Sequence, residues 1–167
     1  MKWLRRAMVL AFAGMVTGFG MLAAQDTPGK GDKAPAPVVL DLDSIPVHLD
    51  SVMKQGPVFL EFWATWCASC KALMPAVREA EARFGDRVTF LGINVTVGET
   101  REGVREHTVA HDLPFRVLYD EEGVSVRAYN PPGTSYVVII DRDGNIAYTG
   151  LGGDQRFRQV LERVAGP

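Results

Sequence analysis

Trp66-Cys67-Ala68-Ser69-Cys70 follows, after Ala64-Thr65, the apolar run Pro57-Val58-Phe59-Leu60-Glu61-Phe62-Trp63. The two cysteines of this window are the only ones in the chain. Two cysteines cannot build a Cys₄ zinc site or a multi-disulfide framework, but they can form one redox pair. The run before them, rich in β-branched and aromatic residues, reads as a buried strand interrupted by one carboxylate. From Cys67 to Phe84 the period changes. Leu73, Val77, Ala80 and Phe84 recur at helical spacing, and Gly85 ends the helix. Pro75 is predicted to kink it. Cys67 therefore opens a helix, where unpaired backbone N–H groups and the helix dipole stabilise a thiolate. The thiolate is the form that attacks a disulfide. Cys70 lies one helical turn on. The pattern predicts an exposed nucleophile at Cys67 and a shielded resolving thiol at Cys70. An inert structural disulfide is the competing reading, but so short a loop closes little chain entropy.

The ends of the chain set the compartment. Lys2, Arg5 and Arg6 precede an uncharged, mostly apolar stretch from Ala7 to Ala24. A basic start followed by such a stretch reads as a secretory signal. Cleavage after Ala24 would put Leu22 at a position that favours small residues. The stretch also reaches the lower length limit of a membrane-spanning helix, so residues 1–24 are a signal peptide or an N-terminal membrane anchor. Arg5-Arg6 is a weak match to a twin-arginine signal, and a general export signal fits better. Either way the remainder is expected outside the cytoplasm, where a cysteine pair is oxidised by default. Without Lys2, Arg5 and Arg6 the chain keeps 15 basic residues against 20 acidic ones, a net charge of −5. That balance argues against a nucleic-acid partner. Residues 25–37 have the polar, Gly- and Pro-rich composition of a flexible linker. Residues 38–167 remain for one domain with a proper core.

Within that domain Val38–Leu42 reads as a short edge strand, with 47–49 pairing near it and Asp50 or Ser51 capping a short helix. Strands are predicted at 87–94, 115–119 and 136–140, and helices at 99–112 and 121–129. Asp141-Arg142-Asp143-Gly144-Asn145 is a hairpin signal leading to a return strand at 146–149. An amphipathic helix closes the chain at 155–164. Early strands alternate with helices and the last two are joined by a tight turn. This order implies an α/β fold with a mixed sheet and helices on both faces.

The stretch Phe62-Trp63-Ala64-Thr65-Trp66-Cys67-Ala68-Ser69-Cys70 resembles the active-site segment of thioredoxin-fold proteins, in particular the extracytoplasmic TlpA/ResA/CcmG-like branch. Gly31-Asp32-Lys33-Ala34-Pro35 resembles that branch's lead-in segment. Tyr136 to Gly144 resembles its late strand and Asp-Gly turn. The distance from Cys70 to Ser135 is longer than in minimal thioredoxins, which resembles the branch's extra helix–strand insertion after the second core strand. The resemblance implies a thiol–disulfide oxidoreductase without a cofactor, working as a monomer on protein disulfides or dithiols. It favours the reducing direction, with a membrane thiol reductant as electron donor and cytochrome c maturation or metal-site assembly as the setting.

Glu61 lies six residues before Cys67 within the apolar run. Alternation puts it on one strand face with Trp63. Burial there should raise its pKa and let it accept the Cys70 proton through a water. The position matches the buried acid of thioredoxins, where aspartate is usual. The competing reading is an edge-strand glutamate in solvent.

Relatives with this fold carry a cis-proline facing the cysteines. Here that position falls on Ser135, after Gly133-Thr134, with Pro131-Pro132 slightly earlier. Either Pro132 approaches the site or Ser135 occupies it, with a trans Thr134–Ser135 bond expected because a non-proline cis bond costs about 3 kcal/mol. Backbone pairing to an extended substrate would then fall to Thr134. A missing proline also raises the chance of metal on the thiols, which keeps a metal-binding or metallochaperone protein as the alternative. No metal ligand set is assigned. His107 and His111, at i and i+4, read as a solvated helix face without a third ligand, and His48 as surface. Ser69 could donate to a nearby thiolate, and Lys71 could add a positive charge at the site. Asn94-Val95-Thr96 matches a glycosylation sequon, a frequent chance pattern. Trp66 is expected to shield the site and offer partners a flat apolar contact.

Overall fold

A computed structural model describes residues 27–166. The signal peptide or anchor expected at 1–24 lies outside them. Among the described residues no helix is long and apolar enough to cross a membrane.

The centre of the fold is strand β3 (Val58–Trp63), buried at every position. To bury both faces and both edges, it needs a neighbour on each side and helices above and below. Strands β1 (Val38–Asp41) and β2 (Pro46–His48) precede it, with helix α1 (Leu49–Met53) between β2 and β3. Helix α2 (Ala68–Phe84) leads to β4 (Thr89–Asn94), which returns parallel to β3. Then come α3 (Arg101–Ala110), β5 (Arg116–Tyr119), α4 (Val124–Tyr129), the hairpin β6 (Tyr136–Ile140) and β7 (Ile146–Leu151), and α5 (Arg158–Ala165). The sheet order is β2-β1-β5-β4-β3-β6-β7. β4 and β5 run parallel, while β6 runs antiparallel to β3. This is the expected mixed sheet, and α3–β5 is the extra helix–strand unit after β4.

Two cores follow from the alternation along β3. Phe59 and Trp63 pack with Leu73 and Val77 of α2 and Leu161 of α5. Leu60 and Phe62 face the other way, with Leu49 and Tyr129. Helix α2 continues through Pro75. Proline there deprives the Lys71 carbonyl of its usual donor, and both residues are exposed to solvent.

Local expectations needed four corrections. The edge strand is β2, which begins with Pro46, whereas β1 is internal, between β2 and β5. A proline at the start of an edge strand forfeits no ladder bond that the sheet requires. Helix α1 starts after His48 with no side-chain cap, and Asp50 instead pairs with Lys54 at 3.0 Å. Helix α3 starts at Arg101, because Thr100 Oγ1 accepts the Gly103 N–H and takes the cap position. The stretch expected as a free linker is fastened to the β6–β7 turn. Gly31 N–H donates to the Ile146 carbonyl at 2.8 Å, Ile146 N–H to Asp32, and Ala34 N–H to Gly144. Tyr129 Oη also donates to the Pro35 carbonyl at 2.6 Å. A Gly- and Pro-rich segment forms no element of its own, so its backbone groups are free to pair with a turn that has spare partners.

Candidate active site

Cys67 is the N-cap of α2 and Cys70 lies in its first turn. The two form a disulfide, with Cα atoms 5.3 Å apart. Cys67 Sγ accepts the Cys70 backbone N–H at 3.0 Å and lies 3.4 Å from Ser69 Oγ. Cys67 thus uses its sulfur as other helices use a capping oxygen. The same donors would solvate a thiolate after reduction. One expectation is corrected here. Cys67 is 5% exposed and Cys70 3%, so the Cys67 sulfur does not project from the surface as expected. Both line a cleft of about 170 Å³ between α2 and the C-terminal end of α3.

Glu61 is fully buried, and among the described residues neither carboxylate oxygen has a hydrogen-bond partner. Its β3 neighbours in register are Gly92 on β4 and Val137 on β6. Alternation places it with Phe59 and Trp63, on the face covered by α2. The solvent-facing reading is therefore excluded. Burial pushes its carboxyl up to about 8, since a low-dielectric surrounding disfavours the charged form. The Trp63 indole N–H, two residues on, also lacks a partner among the described residues. Its ring fits because position 92 is glycine. A methyl there would come within 2.8 Å of Trp63 Nε1 and collide with Phe115.

Ser135 is fully buried with φ of +63°. Its N–H donates to the Phe62 carbonyl at 2.7 Å, and its carbonyl accepts from Gly152 N–H and Gln155 Nε2. Ser135 Oγ donates to the Gly152 carbonyl at 3.1 Å. No peptide bond among the described residues is cis. Ser135 thus spends its backbone groups inside the fold, at the end of β3 that leads to the cysteines. Thr134, just before it, is half-buried and makes no such bond among the described residues.

Trp66 is 56% exposed and its indole N–H donates to the Val97 carbonyl at 2.9 Å. It is a surface ring, not core filling. A second tie reaches the same loop. Glu99 Oε1 accepts the Thr65 N–H at 2.8 Å, and Glu99 Oε2 accepts from Asn94 Nδ2 at 2.8 Å. Asn94 is fully buried and its Oδ1 accepts the Thr96 N–H. The Asn94 amide is thus committed inside the fold, which fits the discounting of its sequon as a chance pattern.

Glu99 was not legible as a site residue. A carboxylate beside a helix cap ordinarily points to solvent, and only the packing of β3 against β4 brings it to Thr65. His107 and His111 also prove to be more than a solvated face. Their rings stack at 4.0 Å, His107 lies 5.8 Å from the Trp63 ring, and both line the disulfide cleft. The i, i+4 spacing was visible in the sequence, but its direction was not. Partial burial lowers the His107 pKa, His111 and Lys71 push the same way, and Glu99 opposes them. His48 is exposed, as expected. Among the described residues no three His, Cys, Asp or Glu side chains converge to hold a metal.

The arrangement can exchange one disulfide with another molecule that reaches the cleft. Known proteins agree with this chemistry. The Redoxin family model matches residues 29–164. The thiol–disulfide oxidoreductase ResA of Bacillus cereus is 30% identical, over 96% of this chain and 94% of that protein. A putative thiol:disulfide interchange protein DsbE from Chlorobium tepidum superposes with a TM-score of 0.70 at 25% identity, covering 83% of this chain and 99% of that one. A secreted Mycobacterium tuberculosis disulfide oxidoreductase homologous to E. coli DsbE gives a TM-score of 0.64 at 25% identity, covering 78% of this chain and 95% of that one. With a disulfide capping a helix behind a buried strand and this match along its length, the chain belongs to the redoxin family, as a thioredoxin-fold thiol–disulfide oxidoreductase of the TlpA/ResA/CcmG-like branch.

Proposed function

We propose that this enzyme is exported and reduces disulfides of partner proteins, with Cys67 as nucleophile, Cys70 as resolving thiol and Glu61 as proton acceptor. The observation that carries the assignment is the position of Cys67 Sγ at the cap of α2, where it accepts the Cys70 N–H and lines an open cleft. In the reduced enzyme the Cys67 thiolate attacks one sulfur of a partner disulfide. A mixed disulfide forms and the first partner sulfur leaves as a thiolate. Glu61 takes the Cys70 proton through a water, and the Cys70 thiolate attacks Cys67 Sγ. The Cys67–Cys70 disulfide re-forms, and the second partner sulfur leaves as a thiolate. Two electrons have passed to the partner. A carboxyl held near 8 suits the proton step, because its ionised form is a far stronger base than an ordinary carboxylate and is still populated near neutral pH.

Export rests on the basic start and apolar stretch of residues 1–24. Outside the cytoplasm the enzyme needs a supply of electrons, and a membrane thiol reductant is the donor the family suggests. Cytochrome c maturation or metal-site assembly is the corresponding setting. Trp66 offers an exposed ring beside the cleft, and the Thr134 backbone groups, unbonded among the described residues, are proposed to pair with an extended partner segment. Ser135 shapes that loop from inside.

Trapping is the test. Cys70→Ala should accumulate mixed disulfides through Cys67, and mass spectrometry of the adducts names the partners. If Cys67→Ala traps more partner than Cys70→Ala, the assignment of nucleophile is overturned. The reduction potential of the Cys67–Cys70 couple, measured against glutathione, then decides the direction of transfer.

A further inference from the structure

The cleft beside the disulfide has a one-sided chemistry. Its apolar surface comes from Trp63, Met74 and Leu113, and its ionisable lining is Lys71, Arg78, His107 and His111. Among the described residues no aspartate or glutamate lines it, although the chain as a whole carries a net charge of −2. Glu99 lies near enough to act on His107, but both its oxygens are occupied by Thr65 N–H and Asn94 Nδ2. The His111 ring has one committed nitrogen. Its Nδ1 lies 3.0 Å from the His107 carbonyl, a contact only an N–H donor can satisfy. Arg78 donates to the His111 carbonyl, which ties α2 to the end of α3 and keeps a guanidinium at the cleft.

Lys71 is the second, independent sign. It sits in the first turn of α2, which contains no acidic residue. A cation there opposes the helix dipole, and an acid would stabilise the helix better. Lys71 is exposed and makes no ion pair or hydrogen bond among the described residues. A local choice that works against the helix points to a ligand rather than to folding.

We infer that this cleft selects protein partners with a carboxylate within a few residues of the reacting cysteine, Lys71 making the ion pair and Arg78 adding to the field. The inference rests on the reading of Cys67 as the group that exchanges with partners. The occupant is a short acidic segment of the partner. The apolar cleft surface takes its hydrocarbon, and the cationic rim takes its charge.

Three disulfide peptides, identical except for Asp, Asn or Lys beside the cysteine, test this with the full chain reduced beforehand by dithiothreitol. Second-order rate constants are read in single turnover at low and high salt. The Asp peptide should react about 10-fold faster than the Asn peptide, and the Lys peptide more slowly still, at low ionic strength. The ratios should shrink toward one in high salt. Lys71→Gln should reduce the Asp-to-Asn ratio and Lys71→Arg should retain it. Any general effect of position 71 on the Cys67 thiolate cancels in that ratio. Equal rates for the three peptides would overturn the selectivity and leave the oxidoreductase reading standing. So would a ratio unchanged in both Lys71→Gln and Arg78→Gln. If none of the peptides is reduced, the partner-exchange reading falls, and the selectivity with it.

Discussion

The Thr65 backbone N–H donates to Glu99 Oε1 at 2.8 Å, which couples the loop carrying Cys67 to the loop leaving β4. The other Glu99 oxygen is held by buried Asn94. Glu99→Ala removes both acceptors at once and leaves the Asn94 amide without its partner inside the fold. A loss of about 2 kcal/mol is expected. Glu99→Gln keeps an acceptor for Thr65 and sacrifices the bond to Asn94, so it should lose about half as much. Urea unfolding of the oxidised forms measures both.

Glu61 makes stability depend on pH in an unusual direction. Its carboxyl is held near 8 in the fold and titrates near 4.5 when exposed. Between those values the folded state binds the extra proton, so stability falls as pH rises. The slope approaches about 1.4 kcal/mol per unit. The stabilising contribution is fully present below 4.5 and is lost as pH rises through 8. Denaturation midpoints of the wild type should therefore decline from pH 5 to pH 8 relative to Glu61→Gln, which carries no such proton. The same variant should slow release of a mixed disulfide about 100-fold at neutral pH, read by stopped-flow. A midpoint difference that does not change with pH would contradict the assignment.

Introducing proline at position 135 should harm this protein. Ser135 has a φ of +63° and donates its N–H to Phe62. Proline fixes φ near −65° and has no N–H. Ser135→Pro should cost about 3 kcal/mol or more in thermal or chemical unfolding. Ser135→Gly is the control. It relieves a left-handed conformation worth about 1 kcal/mol and gives up the Oγ bond to Gly152, so its net change should be small.

Gly92→Ala tests how tightly the sheet packs beneath the site. The added methyl would collide with Phe115 and crowd the Trp63 indole. Overpacking of this kind costs about 1–3 kcal/mol. Trp63 also lines the disulfide cleft. The variant should therefore show a lower melting temperature, a changed near-ultraviolet circular dichroism signal and slower disulfide exchange.

Short-range pattern by itself determined much of this protein. An apolar run bounded by turn residues made β3, and a switch to helical spacing at Cys67 made α2. Asp141 to Asn145 made the β6–β7 turn. Those signals lie within one element or between two adjacent ones, so composition and spacing carry them. They were enough to put a thiol pair at a helix start and an acid in the strand before it. Tertiary structure decided the rest. The parallel pairing of β3 with β4 brings Glu99 to Thr65. Helix α3 turns His107 and His111 toward the disulfide, where the sequence alone suggested solvent. The lead-in from Gly31 to Ala34 is held by a turn more than a hundred residues away. Cys67 is buried because the walls of its cleft come from elements distant in the chain. Periodicity reports which face of an element is apolar. It does not report what that face meets, because that depends on the order in which the strands join the sheet.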